Sequence, residues 1–298
     1  MSTPQPRPSR LKLWLRLILL LPTAAYVGII LLGAVPLALA VTVPLKGKVC
    51  CLDLPHEDIT FQTADGLALS GWYIPPTNGA TIILLHSYYL DRRQALPMAQ
   101  MLYRHGYGLL MYDQRASGES QGYVRSLGQR DIPDVSQAVS WLESRSGVEG
   151  KIGVLGCSMG GAIGLAAAAA DPRIAAVAAD APSPMTFDEA RPRVGDSYWG
   201  VTLPIYTLYY GFVNLANLTF SATTTVSAIP KIAPRPILFI STGQGGEFDR
   251  VRAYYNLAGE PKTHWNIPTS SHCAGPVTHP IEYEQHLVDF FDEVLLGK

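Results

Sequence analysis

The residues that most invite chemistry are Gly156-Cys157-Ser158-Met159-Gly160. The serine sits between an apolar run, Ile152–Leu155, and a small-residue segment that begins at Gly160 and reads as a helix. A strand that passes into a helix through so short a link must turn sharply, which pushes the serine hydroxyl out beyond the sheet. Bulky side chains at 156 or 160 would collide inside that turn, and Gly161 lets the helix start close to the sheet. Alone, Gly-x-Ser-x-Gly is a weak signal; between a strand and a helix it is a strong one for a nucleophile. A serine hydroxyl is a poor nucleophile at neutral pH and needs a histidine base oriented by a carboxylate. The same glycines are not a phosphate loop, because no Lys-Ser/Thr follows them. Cys50, Cys51, Cys157 and Cys273 match no zinc spacing, and neither a metal nor an organic cofactor is expected. The adjacent pair Cys50-Cys51 is expected as free thiols, with lipidation or a mutual bridge as alternatives.

The elements that must position this serine alternate between strand-like and helix-like segments, the pattern of an α/β sheet. Ile59–Thr63 and Leu67–Ile74 flank an Asp65-Gly66 turn and predict an antiparallel start. Further strands are expected at Ala80–Leu85, Gly108–Tyr112, Ile152–Leu155, Ile174–Ala179, Pro236–Ile240 and Thr263–Ile267. Helices are expected at Gln94–His105, at Ile132–Ser144 with Asp131 as its cap, at Gly160–Ala170 and at Glu282–Leu296. About fifty residues between Pro182 and Pro236 break this rhythm. They carry Trp199, Tyr206, Tyr209, Tyr210, Phe212 and Phe220. A gap of that length predicts a helical lid over roughly 183–235. Its aromatic residues suit an apolar substrate, packing on their own core, or contact with a bilayer.

The chain has 298 residues, a formal net charge of -1 and 48% hydrophobic residues. That is enough for one large domain and a short appendage, and near-neutral charge argues against nucleic acid as a partner. From Leu17 to Val43 there is no charged residue, a run longer than the ~20 residues a helix needs to cross a bilayer. Pro22 and Pro36 fall within it, so an uninterrupted helix is expected between them or bending at them. Arg7, Arg10, Lys12 and Arg16 precede it; Lys46, Lys48, Asp53, Glu57 and Asp58 follow. The basic excess predicts a cytoplasmic N-terminus and a catalytic part on the other side. The implied layout is a basic tail (1–16), a transmembrane anchor (17–43), a linker (44–56) and a catalytic domain (57–298). Ala38-Leu39-Ala40 also fits a signal-peptide cleavage site, which would make the protein secreted, although the apolar stretch exceeds the usual ~7–15 residues. A buried core helix is a third possibility.

The chain resembles the α/β-hydrolase family from about Ile59 to Leu296. Gly156-Cys157-Ser158-Met159-Gly160-Gly161 is similar to the elbow of its lipase, esterase and peptidase-like branches. Asp113-Gln114-Arg115-Ala116-Ser117-Gly118-Glu119-Ser120 resembles the family's Asp-x-Arg-Gly-x-Gly-x-Ser loop, departing at Ala116. His86-Ser87-Tyr88 resembles its His-Gly-x segment, departing at Ser87. The resemblance implies a mostly parallel sheet flanked by helices and the chain order nucleophile, acid, histidine. That order points to His272, after the last strand, ahead of His264, His279, His286, His105 and His86. It places the acid after Pro236–Ile240, where the family's usual aspartate position is Gly246. Glu247 is favoured, Asp249 is the alternative, and Asp180 is remoter. The backbone N–H groups of Met159 and Tyr88 are the implied oxyanion donors. The expected protein is a membrane-anchored serine hydrolase acting on a small-molecule or lipid-like ester. Two alternatives stand beside it: a peptidase or amidase using Asp188, Glu189 or Asp196 for a substrate amine, and an inactive hydrolase-fold binding protein.

Overall fold

The computed structural model describes residues 10–145, 150–190, 199–219 and 223–298. Arg7 of the basic tail and Asp196 and Phe220 of the long insertion lie outside the described residues, as does the side chain of Trp199. Eight strands form one sheet: β1 (Glu57–Gln62), β2 (Ala68–Ile74), β3 (Thr81–Leu85), β4 (Gly108–Tyr112), β5 (Ile152–Cys157), β6 (Ile174–Asp180), β7 (Ile237–Thr242) and β8 (Lys262–Ile267). Their spatial order is β8-β7-β6-β5-β3-β4-β2-β1. β2 is antiparallel to both β1 and β4. All other neighbours run parallel.

The helices are α1 (Arg10–Thr42), α2 (Leu96–Arg104), α3 (Ile132–Glu143), α4 (Met159–Ala170), α5 (Phe187–Ala190), α6 (Trp199–Asn217), α7 (Thr225–Ala228), α8 (Glu247–Leu257), α9 (Gly275–Thr278) and α10 (Pro280–Phe291). Alternate residues of the central strands feed two apolar layers, because successive side chains point to opposite faces. Ile83, Leu110, Val154 and Val177 pack on the side of α3 and α4. Ile82, Leu84, Leu109 and Leu155 pack on the side of α2 and α10. Such two-sided burial explains why β3, β4 and β5 read as unbroken apolar runs, whereas edge strand β1 alternates.

Some details differ from the sequence reading. Asp131 does not cap α3: its backbone is already helical, and its carboxylate accepts from Ser126 Oγ at 2.6 Å instead. The C-terminal helix ends at Phe291 and continues as one wide turn, Asp292–Leu296. Cys50 and Cys51 are bridged rather than free, and Cys51 turns back toward its neighbour with φ 80°. The insertion is helical in its described parts, comprising α5, α6 and α7.

Helix α1 runs through both Pro22 and Pro36. Its segment Ile18–Thr42 has a mean hydropathy of 2.3 and is long and apolar enough to cross a membrane by length and composition. Leu19, Leu20, Leu21 and Leu32 are exposed, while Ile30, Ala34, Ala38 and Val41 are buried against the protein. Helix α6 lies along it: a Cβ on Gly33 would meet Ile205 Cδ1 at 2.7 Å, and the Tyr26 hydroxyl donates to the Gly200 carbonyl. Beyond α1, Leu45–Lys46 pairs in parallel with Ser117–Gly118, so the linker is tied to the domain.

The loop after β4 holds a buried ion network. Arg92 Nη1 donates to Asp113 Oδ2 and Nη2 to Glu119 Oε2, each at 2.6 Å. Asp113 also accepts from the backbone N–H groups of Arg92 and Glu119. A Cβ at Gly118 would lie 2.2 Å from Asp113 Oδ2, so only glycine admits this carboxylate. Ala116, at the resembled family's glycine position, still takes the left-handed conformation, φ 60°. This network fastens the segment after β3 to the segment after β4. Arg92→Met leaves the buried Asp113 carboxyl without its cation, and it is expected to lower unfolding free energy by about 3–5 kcal/mol. Adding Asp113→Asn should recover most of that loss, as read from denaturant titrations of both variants.

Candidate active site

The strands that matter end on the same edge of the sheet. At the end of β5, Ser158 adopts φ 57°, ψ -117°. The reason is a close approach: a Cβ on Gly156 would sit 2.3 Å from the Gly160 carbonyl carbon, and one on Gly160 would sit 2.3 Å from the Leu85 carbonyl oxygen. The strain is held in place by the bonds around it. Ser158 N–H donates to Asp180 O (2.8 Å), and Ser158 O accepts from Ala162 N (3.1 Å) and Ser183 N (3.0 Å).

From the loop after β8, His272 Nε2 comes within 2.9 Å of Ser158 Oγ. Its Nδ1 lies 2.6 Å from Glu247 Oε2. With Nδ1–H donating to the carboxylate, Nε2 is free to take the serine proton. Glu247 opens α8, just after β7, and is buried. Its other oxygen accepts from Thr242 N–H and Thr242 Oγ1, both at 2.7 Å. Burial alone would raise this carboxyl, but the bonds from His272 and Thr242 outweigh it and hold it below its ordinary value. Glu247 therefore stays ionised beside His272.

The other candidates fall elsewhere. Asp249 lines the cleft beside the triad but makes no bond to His272. Asp180 is fully buried and accepts from the Tyr283 hydroxyl at 2.8 Å; burial first, with Glu247 nearby, pushes it up to about 7. His86 is a buried structural residue that bonds Ser87 O through Nδ1 and accepts from Gln114 N–H. His264 bonds Ser241, His279 bonds Thr269, His286 stacks on Trp265 and His105 meets Glu284.

Met159 supplies the first N–H of α4, one that no helical carbonyl can satisfy. Tyr88 lies two residues beyond His86, whose carbonyl packs against the elbow at Gly160. No described residue accepts a hydrogen bond from either N–H. A helix N-terminus and a turn amide of this kind can stabilise a developing oxyanion.

Several neighbours carry no signal in the sequence. Ser183 Oγ is 2.9 Å from Ser158 Oγ; since Ser158 donates to His272, Ser183 is left to donate to Ser158. Gln244 Oε1 accepts from His272 N–H at 2.7 Å. Cys157 and Cys273, adjacent to Ser158 and His272, form a disulfide across 116 residues of sequence. It ties the elbow to the histidine loop directly. A cleft of about 880 Å³ opens beside His272, lined in part by Asp188, Glu189, Asp249 and Arg250.

Residues 68–195 match the family model of X-Pro dipeptidyl-peptidase (S15 family). The polyketide transferase grgF of a Penicillium species is 36% identical over 134 residues, 43% of this chain and 46% of that protein. The thiohydrolase aneE of Aspergillus aculeatus is 31% identical over 124 residues, 40% of this chain and 39% of that protein. The chain thus spans less than half the length of these curated relatives. The Pyrococcus furiosus esterase Pf2001 superposes with a TM-score of 0.69 at 21% identity, covering 85% of this chain and 98% of that one.

Three outcomes follow from this geometry. Glu247→Gln should lower kcat by about 10³-fold or more, as loss of the orienting carboxylate does in triads, whereas Asp249→Asn should stay within about threefold. Steady-state kinetics of both variants separate them. Because the folded Glu247 value lies below the unfolded one, the stability it contributes is present above about pH 4.3 and is lost as pH falls through the folded value. The acid-unfolding curve of Glu247→Gln should be correspondingly flatter. Reduction of Cys157–Cys273 should cost about 2–5 kcal/mol of stability and slow turnover, measured with a phosphine reductant in a Cys50→Ser/Cys51→Ser background.

Proposed function

We propose that this chain is an α/β-hydrolase, a membrane-anchored serine hydrolase that cleaves an ester of an apolar acyl group. The observation that carries this reading is the unbroken chain of contacts from Ser158 Oγ through His272 to Glu247. Ser158 attacks the substrate carbonyl as His272 takes its proton. Glu247 stabilises the imidazolium, and the N–H groups of Met159 and Tyr88 hold the tetrahedral oxyanion. His272 then protonates the leaving alcohol. Water, deprotonated by the same histidine, releases the acid from the acyl-enzyme. An inactive binding protein is disfavoured, because such a protein has no need of an ionised carboxylate bonded to a histidine that faces a strained serine.

The apolar acyl group is supported by the aromatic insertion. Tyr209 and Tyr210 of α6 are buried against the core, and Phe187 meets Tyr210 edge-on at 5.8 Å. The relatives' printed names (a polyketide transferase, a thiohydrolase and an esterase) fit acyl groups as the unit handled. In the layout we favour, residues 1–16 are a cytoplasmic tail, 17–43 the anchor, 44–56 the connection and 57–298 the extracytoplasmic catalytic domain, with 183–235 as its lid. Burial of Ile30, Ala34 and Ala38 supports a retained helix over a cleaved signal, since cleavage after Ala40 would strip packed side chains from the domain. A disulfide beside the triad fits an oxidising compartment.

A second reading, a peptidase or amidase, is favoured by one observation: Asp188 and Asp249 give the cleft beside His272 an acidic lining suited to a substrate amine. Glu189 is less available, because its two oxygens accept from Met185 and Val226 N–H groups.

A fluorophosphonate probe should label the full-length, detergent-solubilised protein and fail on Ser158→Ala; an unlabelled native protein would overturn the hydrolase reading. Turnover of p-nitrophenyl esters of rising chain length, set against aminoacyl anilides, decides between the two substrate classes. In sealed vesicles with the cytoplasmic face outward, protease should spare the catalytic domain until lysis. Digestion before lysis would refute the orientation.

A further inference from the structure

A helix that ends leaves its last carbonyls without partners from its own backbone. At the end of α1 the catalytic domain supplies those partners one by one. Arg125 Nη2 donates to Ala40 O at 2.9 Å, and the Tyr88 hydroxyl donates to Val41 O. The backbone N–H of Arg125 donates to Thr42 O at 2.9 Å, and its Nε donates to Val43 O at 2.7 Å. Leu39 O is met from its own segment, by Val43 N–H. The remaining guanidinium nitrogen, Nη1, donates to the carbonyl of Tyr88 at 3.0 Å. Arg125 is buried, and its guanidinium lies 4.7 Å from the centre of the Tyr88 ring. A buried cation at the carbonyl end of a helix is favourable, because the helix dipole presents partial negative charge there. Asn217, the last residue of α6, donates from its side chain to Arg125 O at 3.1 Å. One arginine therefore joins the end of the anchor helix, the end of the lid helix and the loop that carries Tyr88.

We propose that Arg125 and the Tyr88 side chain are positioning residues that make the end of α1 part of the oxyanion hole. This rests on the reading of Tyr88 N–H as an oxyanion donor. The physical reason is local. With the phenol of Tyr88 fixed to Val41 and its carbonyl fixed to Arg125, neither its side chain nor the following peptide is free to rotate. The peptide that carries its N–H is held at its other end, where Ser87 O accepts from Leu90 N–H at 3.3 Å and from His86 Nδ1–H at 2.7 Å, so the direction of that N–H is set. The departure of Ser87 from the resembled family's glycine removes one device for shaping this turn, and the grip of α1 supplies another. The anchor then does more than hold the enzyme at a membrane: turnover depends on α1 being docked.

The test uses the full-length protein in detergent or nanodiscs with a p-nitrophenyl ester. Tyr88→Phe removes only the hydroxyl that reaches Val41 and is expected to lower kcat by about 10-fold; Arg125→Ala should lower it by about 100-fold, the scale of a lost or misaimed oxyanion donor. KM should change by less than about threefold, and the midpoint of the kcat pH profile should not move, because Ser158, His272 and Glu247 are untouched. Millimolar methylguanidinium should restore part of the activity of Arg125→Ala, and Arg125→Lys should fall between the two. Wild-type kcat in Tyr88→Phe overturns the proposal. So does an Arg125→Ala loss that is matched by the loss of fluorophosphonate-titratable sites, with the surviving sites turning over at the wild-type rate. Failure of the underlying reading looks different: activity surviving in Ser158→Ala sinks the hydrolase mechanism whatever Arg125 does.

Discussion

Between β5 and α4 there is no room for a methyl group, and the catalytic half of the molecule is arranged around that fact. The close approach of Gly156 to Gly160, and of Gly160 to the end of β3, leaves Ser158 only a left-handed backbone. Such a conformation costs of order 1–3 kcal/mol and persists only where its surroundings over-determine it. Here they do so through the carbonyl of Asp180 and the N–H groups of Ala162 and Ser183. In return, the hydroxyl stands clear of the sheet and within 2.9 Å of His272 Nε2.

Two buried carboxyl groups near His272 are pushed in opposite directions. Glu247 and Asp180 are both buried at strand ends close to His272. Glu247 receives two bonds from Thr242 and one from His272, and its carboxyl lies below the ordinary range. Asp180 receives one bond, from Tyr283, and is pushed up to about 7. Burial disfavours both anions; at Glu247 the bonds from His272 and Thr242 outweigh it, whereas at Asp180 burial and the nearby Glu247 outweigh the single bond from Tyr283. The outcome suits the chemistry: one carboxylate stays ionised to orient the histidine, and its neighbour carries a proton for part of the time, which lessens repulsion between them.

The loops that complete the site are each tied down by a different kind of bond. A disulfide joins the residue before Ser158 to the residue after His272. A buried ion network holds the segments after β3 and β4 together. Hydrogen bonds from Arg125 and Tyr88 carry the grip onward to the end of α1. Misplacement of about 1 Å can cost two orders of magnitude in rate, which gives a physical reason for fastening loops that would otherwise sample several conformations.

Local pattern alone determined much of this protein. Apolar runs bounded by turns marked the central strands β3, β4, β5 and β7, because strands buried on both faces have nowhere to place a polar side chain, whereas edge strand β1 showed alternation. Two glycines around Ser158 marked the sharp turn, because only glycine survives the contact. A charge-free run marked the long apolar part of α1, Ile18–Thr42. Glu247 stood apart from Asp249 by lying next to Gly246, where the resembled family usually has its aspartate. Partnership across long separations was decided by the tertiary structure: Ser183 beside Ser158, Cys157 on Cys273, and Arg125 on the carbonyls of residues 40–43. None of these has a sequence signature, since each depends on which loops the strand order brings to one edge of the sheet. An isolated arginine, serine or cysteine in a chain is ordinary, and its role exists only once the fold has chosen its neighbour.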